Sequence, residues 1–191
     1  IGCLRHLQNL DTGFYRSGVQ NKTSAVQTDD IRCRGNETYG DYDFVPIYNP
    51  KLESYDGRAN ELRDLYVSGT KFNTHAGLFS RMGTGTSNQP ALTVSNVYLI
   101  NACVSAASGR YAGALMGEAH QGAEFRNCRV YWDTDGGAVG LKDALGSDVD
   151  GYRYKDSGIY GKYAGGLVGF MTGSCRISRC LAATLVYGEA E

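Results

Sequence analysis

The chain has 191 residues, a formal net charge of −1, and 26 glycines against 3 prolines. This length suits one ordinary domain or one elongated stack of repeats, and the scattered Lys and Arg exclude the continuous basic stripe of a nucleic-acid-binding surface. No apolar run approaches the roughly 20 residues that cross a bilayer, which excludes membrane insertion by a helix, while the many glycines and 14 tyrosines predict short strands joined by tight turns.

The first third of the chain predicts one short helix and two strands. Leucines spaced three apart share one face of a helix over 4–10, which would cover the end of a stack. Residues 25–31 and 44–47 are strand candidates, separated by a loop rich in Gly, Asn and Asp. The dipeptide Asp-Gly at 56–57 then predicts a turn.

Two kinds of short segment recur after this turn. One is glycine-rich and occurs at 163–169, 112–117 and, more loosely, 76–80. The other has the form apolar, any, Asp or Asn, apolar, any, apolar, and occurs at 62–67, 94–99, 125–130 and 177–182. Such recurrence predicts stacked repeats, because one unit alone buries too little apolar surface to offset the entropy lost on ordering it.

Set in register, the repeats predict columns of equivalent residues about 4.8 Å apart. The apolar columns would line the interior: Leu62, Val94, Phe125 and Ile177; Leu65, Val97, Cys128 and Cys180; Val67, Leu99, Val130 and Ala182. A polar column between them contains Asp64, Asn96, Asn127 and Arg179. Asp and Asn tolerate left-handed backbone, and aligned amides can hydrogen-bond along a stack, so we expect this column to shape a bend.

Small residues form two further columns. They are Gly77, Ala114 and Gly166, and Ser80, Gly117 and Gly169. Such columns mark places where a side chain would block a bend or a close approach of two backbones.

The six cysteines lack the CxxC spacing of zinc sites. Cys128 and Cys180 occupy the same repeat position, which predicts two buried thiols lying over one another. A disulfide between Cys3 and Cys33 stays an open alternative.

The segments YAGGLVG, YAGALMG and HAGLFS, each accompanied by a strand such as NELRDLYV or EFRNCRV, resemble the GLUG repeats of large bacterial surface and secreted proteins. Those proteins include the non-catalytic regions of some IgA-cleaving metallopeptidases. The first third of the chain also resembles the usual lead-in to such repeats. The resemblance implies an all-β, right-handed parallel β-helix, or solenoid, which we expect to have about four to five turns and a short N-terminal capping helix. It also implies a secreted or cell-surface location and a role in adhesion or as a spacer.

We expect a single domain over 1–191. Its parts are an N-terminal cap and first turn at 1–58, GLUG-like repeats at 59–131 and 159–191, and an inserted loop at 132–158, where the repeat spacing is longest. The chain opens without an initiator Met or a signal peptide and is interpreted as a piece of a longer protein. Its C-terminal edge is expected to be either covered by 183–191 or left open.

The residues do not predict catalysis. His6, His75 and His120 lie far apart without an HExxH motif, so each is interpreted as a surface or turn residue. Glycosidases and lyases on a β-helix need outward carboxylates, and the outward column of Tyr66, Tyr98, Arg129 and Leu181 has none. We therefore expect a non-enzymatic module. The alternative is a carbohydrate-active enzyme, a polysaccharide lyase or hydrolase, on the same scaffold.

Three residues of that outward column form the first candidate binding site. Tyr66, Tyr98 and Arg129 would give an exposed strip of flat side chains. Flat side chains suit stacking on the sugar rings of a host glycan or packing against an extracellular protein, and a surface rich in Tyr for no binding reason is the competing interpretation.

The acidic insertion is the second candidate. Asp133 and Asp135, with Asp148 and Asp150 further along, resemble the start of a calcium loop. The full loop pattern with its terminal Glu is missing, so calcium stays an open alternative to a solvated loop. We expect no other cofactor.

Overall fold

The computed structural model describes residues 1–10, 24–33, 44–48, 51–67, 75–82, 92–106, 110–131 and 158–188. Over these ranges the protein is nearly all β, with one short helix and only parallel strand pairs. No helix in these ranges has the length and apolar character to cross a membrane. The predicted all-β class, the parallel pairing and the short N-terminal helix are therefore confirmed.

The bounds of these elements, in chain order, are α1 (Leu4–Gln8), β1 (Ser24–Val26), β2 (Ile31–Arg32), β3 (Ser54–Asp56), β4 (Glu61–Arg63), β5 (Tyr66–Val67), β6 (His75–Ala76), β7 (Phe79–Met82), β8 (Thr93–Ser95), β9 (Tyr98–Ile100), β10 (Cys103–Ser105), β11 (Tyr111–Gly113), β12 (Met116–His120), β13 (Glu124–Arg126), β14 (Arg129–Tyr131), β15 (Gly158–Gly161), β16 (Tyr163–Gly165), β17 (Val168–Thr172), β18 (Arg176–Ser178), β19 (Leu181–Ala183) and β20 (Leu185–Gly188).

These strands form five sheets, and from β3 onward each sheet takes every fifth strand of the chain. In spatial order the sheets are β1-β3-β8-β13-β18, β2-β4-β9-β14-β19, β5-β10-β15-β20, β6-β11-β16 and β7-β12-β17. Because paired strands run parallel, residues at equivalent positions of successive strands lie beside one another about 4.8 Å apart. Each sheet therefore carries continuous columns of side chains.

Apolar columns from three of the sheets form much of the core. They are Ala25, Tyr55, Val94, Phe125 and Ile177; Ile31, Leu62, Leu99, Val130 and Ala182; and Val67, Val104, Ile159 and Val186. Members on the inner strands are buried, whereas Ile177 and Val186 on the last strands are 44% and 42% exposed. The apolar area removed from water is thus concentrated in the inner strands.

The predicted register of the first repeat is wrong by one strand. Leu62 lies beside Leu99 rather than beside Val94, and Tyr55 takes the position beside Val94. The turn at Gly57 fits this register. A side chain there would lie 2.9 Å from the Cα atom of Val97, so only glycine lets the end of β3 approach the end of β8 this closely.

The other two predicted columns are shifted by one strand in the same way. Val67 lies beside Val104 instead of Leu99, and the carbonyl of Leu65 accepts a hydrogen bond from the backbone N–H of Cys103. The later part of the prediction, in which successive strands β8, β13 and β18 share one column, is confirmed.

The polar column is confirmed from Asn96 onward. Asn96 and Asn127 have left-handed backbone with φ of 52° and 49°, and Arg179 continues the column with φ of 54°. Nδ2 of Asn127 donates to Oδ1 of Asn96 at 2.8 Å, and Nδ2 of Asn96 donates to Oδ1 of Asp56 at 2.9 Å. The amides therefore satisfy one another along the column while they hold the bend, as expected for Asn in this conformation.

Asp64 has the same left-handed backbone and the same kind of side-chain hydrogen bond, but in another column. Its φ is 59°, and its neighbour is Asn101, with φ of 58°, rather than the predicted Asn96. Nδ2 of Asn101 lies 3.4 Å from Oδ1 of Asp64, and Nε of Arg32 lies 2.6 Å from the other carboxylate oxygen. The bend that precedes β5 and β10 is thus built like the bend that precedes β9 and β14.

The glycine-rich segments pair through β6, β11 and β16. Gly113 lies beside Gly165, so Ala114 and Gly166 correspond as predicted. Ala112 lies beside Ala76, which puts Gly77 beside Gly113, one residue away from its predicted place in this column. The second predicted column agrees with the register of β7, β12 and β17, and its members are Ser80, Gly117 and Gly169.

The N-terminal predictions hold in part. Helix α1 places Leu7 in the core, and Leu10 just after it is buried as well. The strand predicted at 25–31 is two separate strands, and the segment at 44–47 forms only an isolated bridge from Ile47 to Phe79. Pro46, which has no N–H to donate to a ladder, limits this pairing.

All six cysteines are free thiols, so no disulfide joins Cys3 to Cys33. The backbone N–H of Cys128 donates to Sγ of Cys180 at 3.3 Å, which confirms that these two residues lie over one another. Cys128 is buried but Cys180 only partly so, and the prediction of two buried thiols therefore holds for Cys128 alone. Burial raises the pKa of Cys103 to about 11. Burial is also the largest cause of the rise in the pKa of Cys128 to about 12. These two thiols therefore stay protonated at neutral pH and behave as small apolar groups.

Candidate functional site

A chain of four hydrogen-bonded side chains links three sheet strands. At its centre, the carboxylate of Glu118 is 8% exposed. Its Oε2 lies 2.6 Å from Nε2 of His75, and its Oε1 lies 2.7 Å from Nε2 of His120. Nδ1 of His120 is 2.5 Å from the hydroxyl of Thr172. We call the residues Thr172, His120, Glu118 and His75 the polar chain.

The β-strand period and one glycine bring the polar chain together. Glu118 and His120 are two residues apart on β12, so their side chains leave the strand on the same face. Thr172 lies beside His120 on β17. A Cβ atom at Gly117 would be 2.6 Å from the carbonyl carbon of His75, so the missing side chain lets β12 reach the backbone of β6.

Hydrogen bonds fix the orientation of both imidazoles in the polar chain. Nε2–H of His120 donates to Glu118, and Nδ1 of His120 forms a hydrogen bond with the Thr172 hydroxyl. Burial, together with the positive charges of Arg81 and Arg110, holds the pKa of His75 below its usual value, although the Glu118 carboxylate opposes this effect. His75 is therefore neutral at neutral pH, where it donates to Glu118.

This lowered pKa predicts a pH dependence of stability. The unfolded chain protonates His75 at its usual pKa of about 6.5, while the folded protein resists the proton. The stabilisation is therefore complete above about pH 6.5 and is lost as the pH falls toward the lower folded value. We expect the urea midpoint to fall between about pH 7.5 and 5.5, and to fall less in the His75→Gln variant. Equal slopes in the two proteins would contradict the assignment.

Three aromatic rings lie beside the polar chain, and we call Tyr111, Tyr163 and Phe170 the aromatic face. The ring of Tyr111 stacks on Phe170 at a centroid distance of 4.7 Å and lies 5.2 Å from Tyr163. It is also 5.6 Å from the imidazole of His75. Tyr163 and Phe170 are 44% and 36% exposed. The rings thus offer apolar surface directly next to buried hydrogen-bonding groups.

The predicted tyrosine strip is not continuous. Tyr98 and Arg129 lie side by side on β9 and β14, and Cζ of Arg129 is 5.0 Å from the Tyr98 ring centroid. Tyr66 lies on β5, where its neighbour is Cys103. The structure therefore brings two of the three predicted residues together and places the third in a different sheet.

The predicted calcium residues Asp133, Asp135, Asp148 and Asp150 lie outside the described residues. In the part of the chain that is described, no group of three or more His, Cys, Asp or Glu side chains is arranged to hold a metal ion. The polar chain agrees with this finding, because its two imidazoles donate to different oxygens of Glu118.

The interpretation of His75 and His120 as surface or turn residues missed their common partner. A signal was available, because His75 opens the first glycine-rich segment as Tyr111 and Tyr163 open the later two. Glu118 and His120 follow the second such segment at alternate positions. An alignment of these segments, together with the residues that follow them, predicts that the side chains of the polar chain and the aromatic face lie close together.

One buried carboxylate is held by two imidazoles, a hydroxyl extends the chain, and exposed aromatic rings lie beside it. Comparison of the chain with protein-family models, with curated proteins and with solved structures gives no match in any of the three.

Proposed function

We propose that this chain is a non-enzymatic module of a bacterial cell-surface or secreted protein, an adhesin that binds a glycan through the polar chain and the aromatic face. The GLUG-like segments support a surface protein of this class. The return of each sheet at every fifth strand supports a right-handed β-solenoid of four to five turns. The observation that carries the binding proposal is the pair of exposed rings, Tyr163 and Phe170, beside the polar chain.

This arrangement suits a sugar in two ways. The apolar face of a pyranose ring packs on an aromatic ring, and the exposed faces of Phe170 and Tyr163 offer this contact. Sugar hydroxyls need fixed hydrogen-bond partners at the rim of that contact. Glu118, His120 and Thr172 are held in place by one another, so little additional ordering is needed on binding.

A carbohydrate-active enzyme is the second candidate, and one observation favours it. Thr172, His120 and Glu118 follow the order of hydroxyl, imidazole and carboxylate that activates nucleophiles. Glycoside hydrolysis generally uses two carboxylates, however, and Glu118 is the one carboxylate in the described part of this cluster. Binding without turnover is therefore the function that the geometry supports better.

A glycan array tests the proposal with the purified chain, run with calcium and again with a chelator. We expect saturable binding that Phe170→Ala weakens strongly and that Tyr98→Ala, on the other candidate strip, leaves unchanged. Loss on Tyr98→Ala alone would move the site to the predicted strip, and loss only on chelation would move it to the acidic insertion. Absence of binding to every glycan would overturn the adhesin and leave a spacer or a protein-binding module.

The enzymatic alternative has its own measurement. Glycans that bind are incubated with the wild-type chain and with Glu118→Gln, and reducing ends and unsaturated products are followed over time. Product formation by the wild type that the variant lacks would replace the binding module with the enzyme. We expect no product from either protein.

A further inference from the structure

We infer that the ligand of this site is an acidic sugar, a pyranose that carries a carboxylate as in uronic and sialic acids. This inference rests on the proposed glycan-binding function and narrows it to one ligand class. It follows from three cationic side chains that surround the polar chain and the aromatic face, namely Arg81, Arg110 and Lys162.

The register places the two arginines at the edge of the site. Arg81 lies beside Glu118, on the neighbouring strand β7, and its side chain is exposed. Arg110 directly precedes Tyr111, and its carbonyl accepts a hydrogen bond from the backbone N–H of Tyr163. Both guanidinium groups are close enough to His75 for their charges to lower its pKa. They therefore lie near the His75 end of the polar chain.

The third cation lies over the aromatic face. Nζ of Lys162 is 5.7 Å from the ring centroid of Tyr163, next to the surface on which a sugar ring would pack. An ammonium group at this position can pair with a carboxylate on a stacked pyranose.

The charge balance of the described cluster favours an anion. Its only carboxylate, Glu118, is buried and already accepts hydrogen bonds from both imidazoles. The two imidazoles add no negative charge, so Arg81 and Arg110 outweigh Glu118 and give the described cluster a net positive charge. A neutral sugar would use the stacking surface alone, whereas an acidic sugar would also pair with the guanidinium groups, whose planar fork matches a carboxylate.

Matched pairs of ligands test this inference by titration calorimetry. The first pair is polygalacturonate and its fully methyl-esterified form, which has the same sugar backbone without the charge. The second pair is sialyllactose and lactose. We expect the acidic member of at least one pair to bind at least about tenfold more tightly, because a charged hydrogen bond discriminates by this order. Polyglutamate, an anion without sugar rings, should bind far more weakly than the acidic sugar.

Variants identify the groups responsible. Arg81→Gln and Arg110→Gln should each weaken binding of the acidic sugar about tenfold or more, and should remove most of its preference over the neutral partner. Phe170→Ala should weaken both members of a pair. The matched control is Arg5→Gln, which removes an exposed arginine from helix α1 and should leave binding unchanged.

The outcomes separate this inference from the proposed function. Equal binding of the acidic and neutral members, still dependent on Phe170, would overturn the acidic ligand and leave glycan binding in place. If neither member of either pair binds, the inference is overturned. The result of the full array then decides whether the proposed function stands. Polyglutamate that binds as tightly as polygalacturonate would show attraction by charge alone and would also overturn the inference.

Discussion

Replacing Gly117 with alanine is expected to destabilise the protein by about 3 kcal/mol or more, at the upper end of the cost of overpacking a well-packed interior. The added Cβ atom would lie 2.6 Å from the carbonyl carbon of His75 and 2.7 Å from the backbone nitrogen of Ala76. Both contacts are with backbone on β6, which is itself paired with β11 and cannot move aside as a side chain would. The measurement is the free energy of unfolding from urea denaturation.

Gly188→Ala is the matched control for this variant. Its added Cβ atom would meet nothing closer than the carbonyl oxygen of Lys162 at 3.7 Å, so we expect a change within about 0.5 kcal/mol. An equal loss in the two variants would mean that the cost at Gly117 comes from replacing a glycine as such. It would not then come from the close approach of β12 to β6.

The same geometry explains an irregularity in the repeats. Gly169 occupies the column of Gly117, and a side chain there would lie 2.6 Å from the backbone nitrogen of Ala112 on the preceding glycine-rich strand. Ser80 occupies the first position of this column, on β7, which is the first described strand of its sheet. No preceding glycine-rich strand is present among the described residues to exclude a side chain from that position. The glycine is needed only where an earlier copy lies against it.

Sequence periodicity predicted the parts of the fold that depend on local conformation. Asn96 and Asn127 were expected to adopt left-handed backbone and to bond along a column, and both do so. Local propensity suffices here because Asn is one of the few residues that reach this conformation cheaply. Arg179 lacks that propensity and still has φ of 54°, so the pairing of β18 with β13 imposes the bend on it.

Register could not be derived in the same way, because the pattern occurs twice in the second repeat, at 94–99 and again at 99–104. The residues from Leu62 to Val67 match the pattern of the residues from Val94 to Leu99, but they also match the residues from Leu99 to Val104. Only pairing over long range separates the two alignments, and it chooses the second. The observed register includes a close backbone approach at Gly57, which a pattern of apolar positions does not show.

The candidate site was hidden for a related reason. His75 and Glu118 are 43 positions apart in sequence, and their contact depends on the packing of β6 against β12, which apolar patterns do not describe. The predicted tyrosine strip failed where it relied on register, since Tyr66 was placed one strand away from its position. The pairing of Tyr98 with Arg129 lay in the correctly aligned part of the chain and was found.

The second large effect is expected at Phe125, whose replacement by alanine should cost about 3 to 5 kcal/mol. Phe125 is fully buried, and it lies between Val94 and Ile177 in one column of the core. The flanking strands are held in place by their own pairing, so the cavity left by the ring cannot collapse. The free-energy cost of the cavity adds to the transfer free energy that is lost when the ring is removed.

Ile177→Ala, in the same column, provides the comparison, because Ile177 is 44% exposed and truncating it should cost about 1 kcal/mol or less. Both variants keep the strand positions unchanged, so the difference in their free energies of unfolding reports burial along the column and not strand propensity. A loss at Ile177 close to that at Phe125 would show that the last strand is covered in solution. A small loss at both positions would contradict the placement of this column in the core. The gradient from buried Phe125 to exposed Ile177 therefore measures directly how far the core extends toward β18.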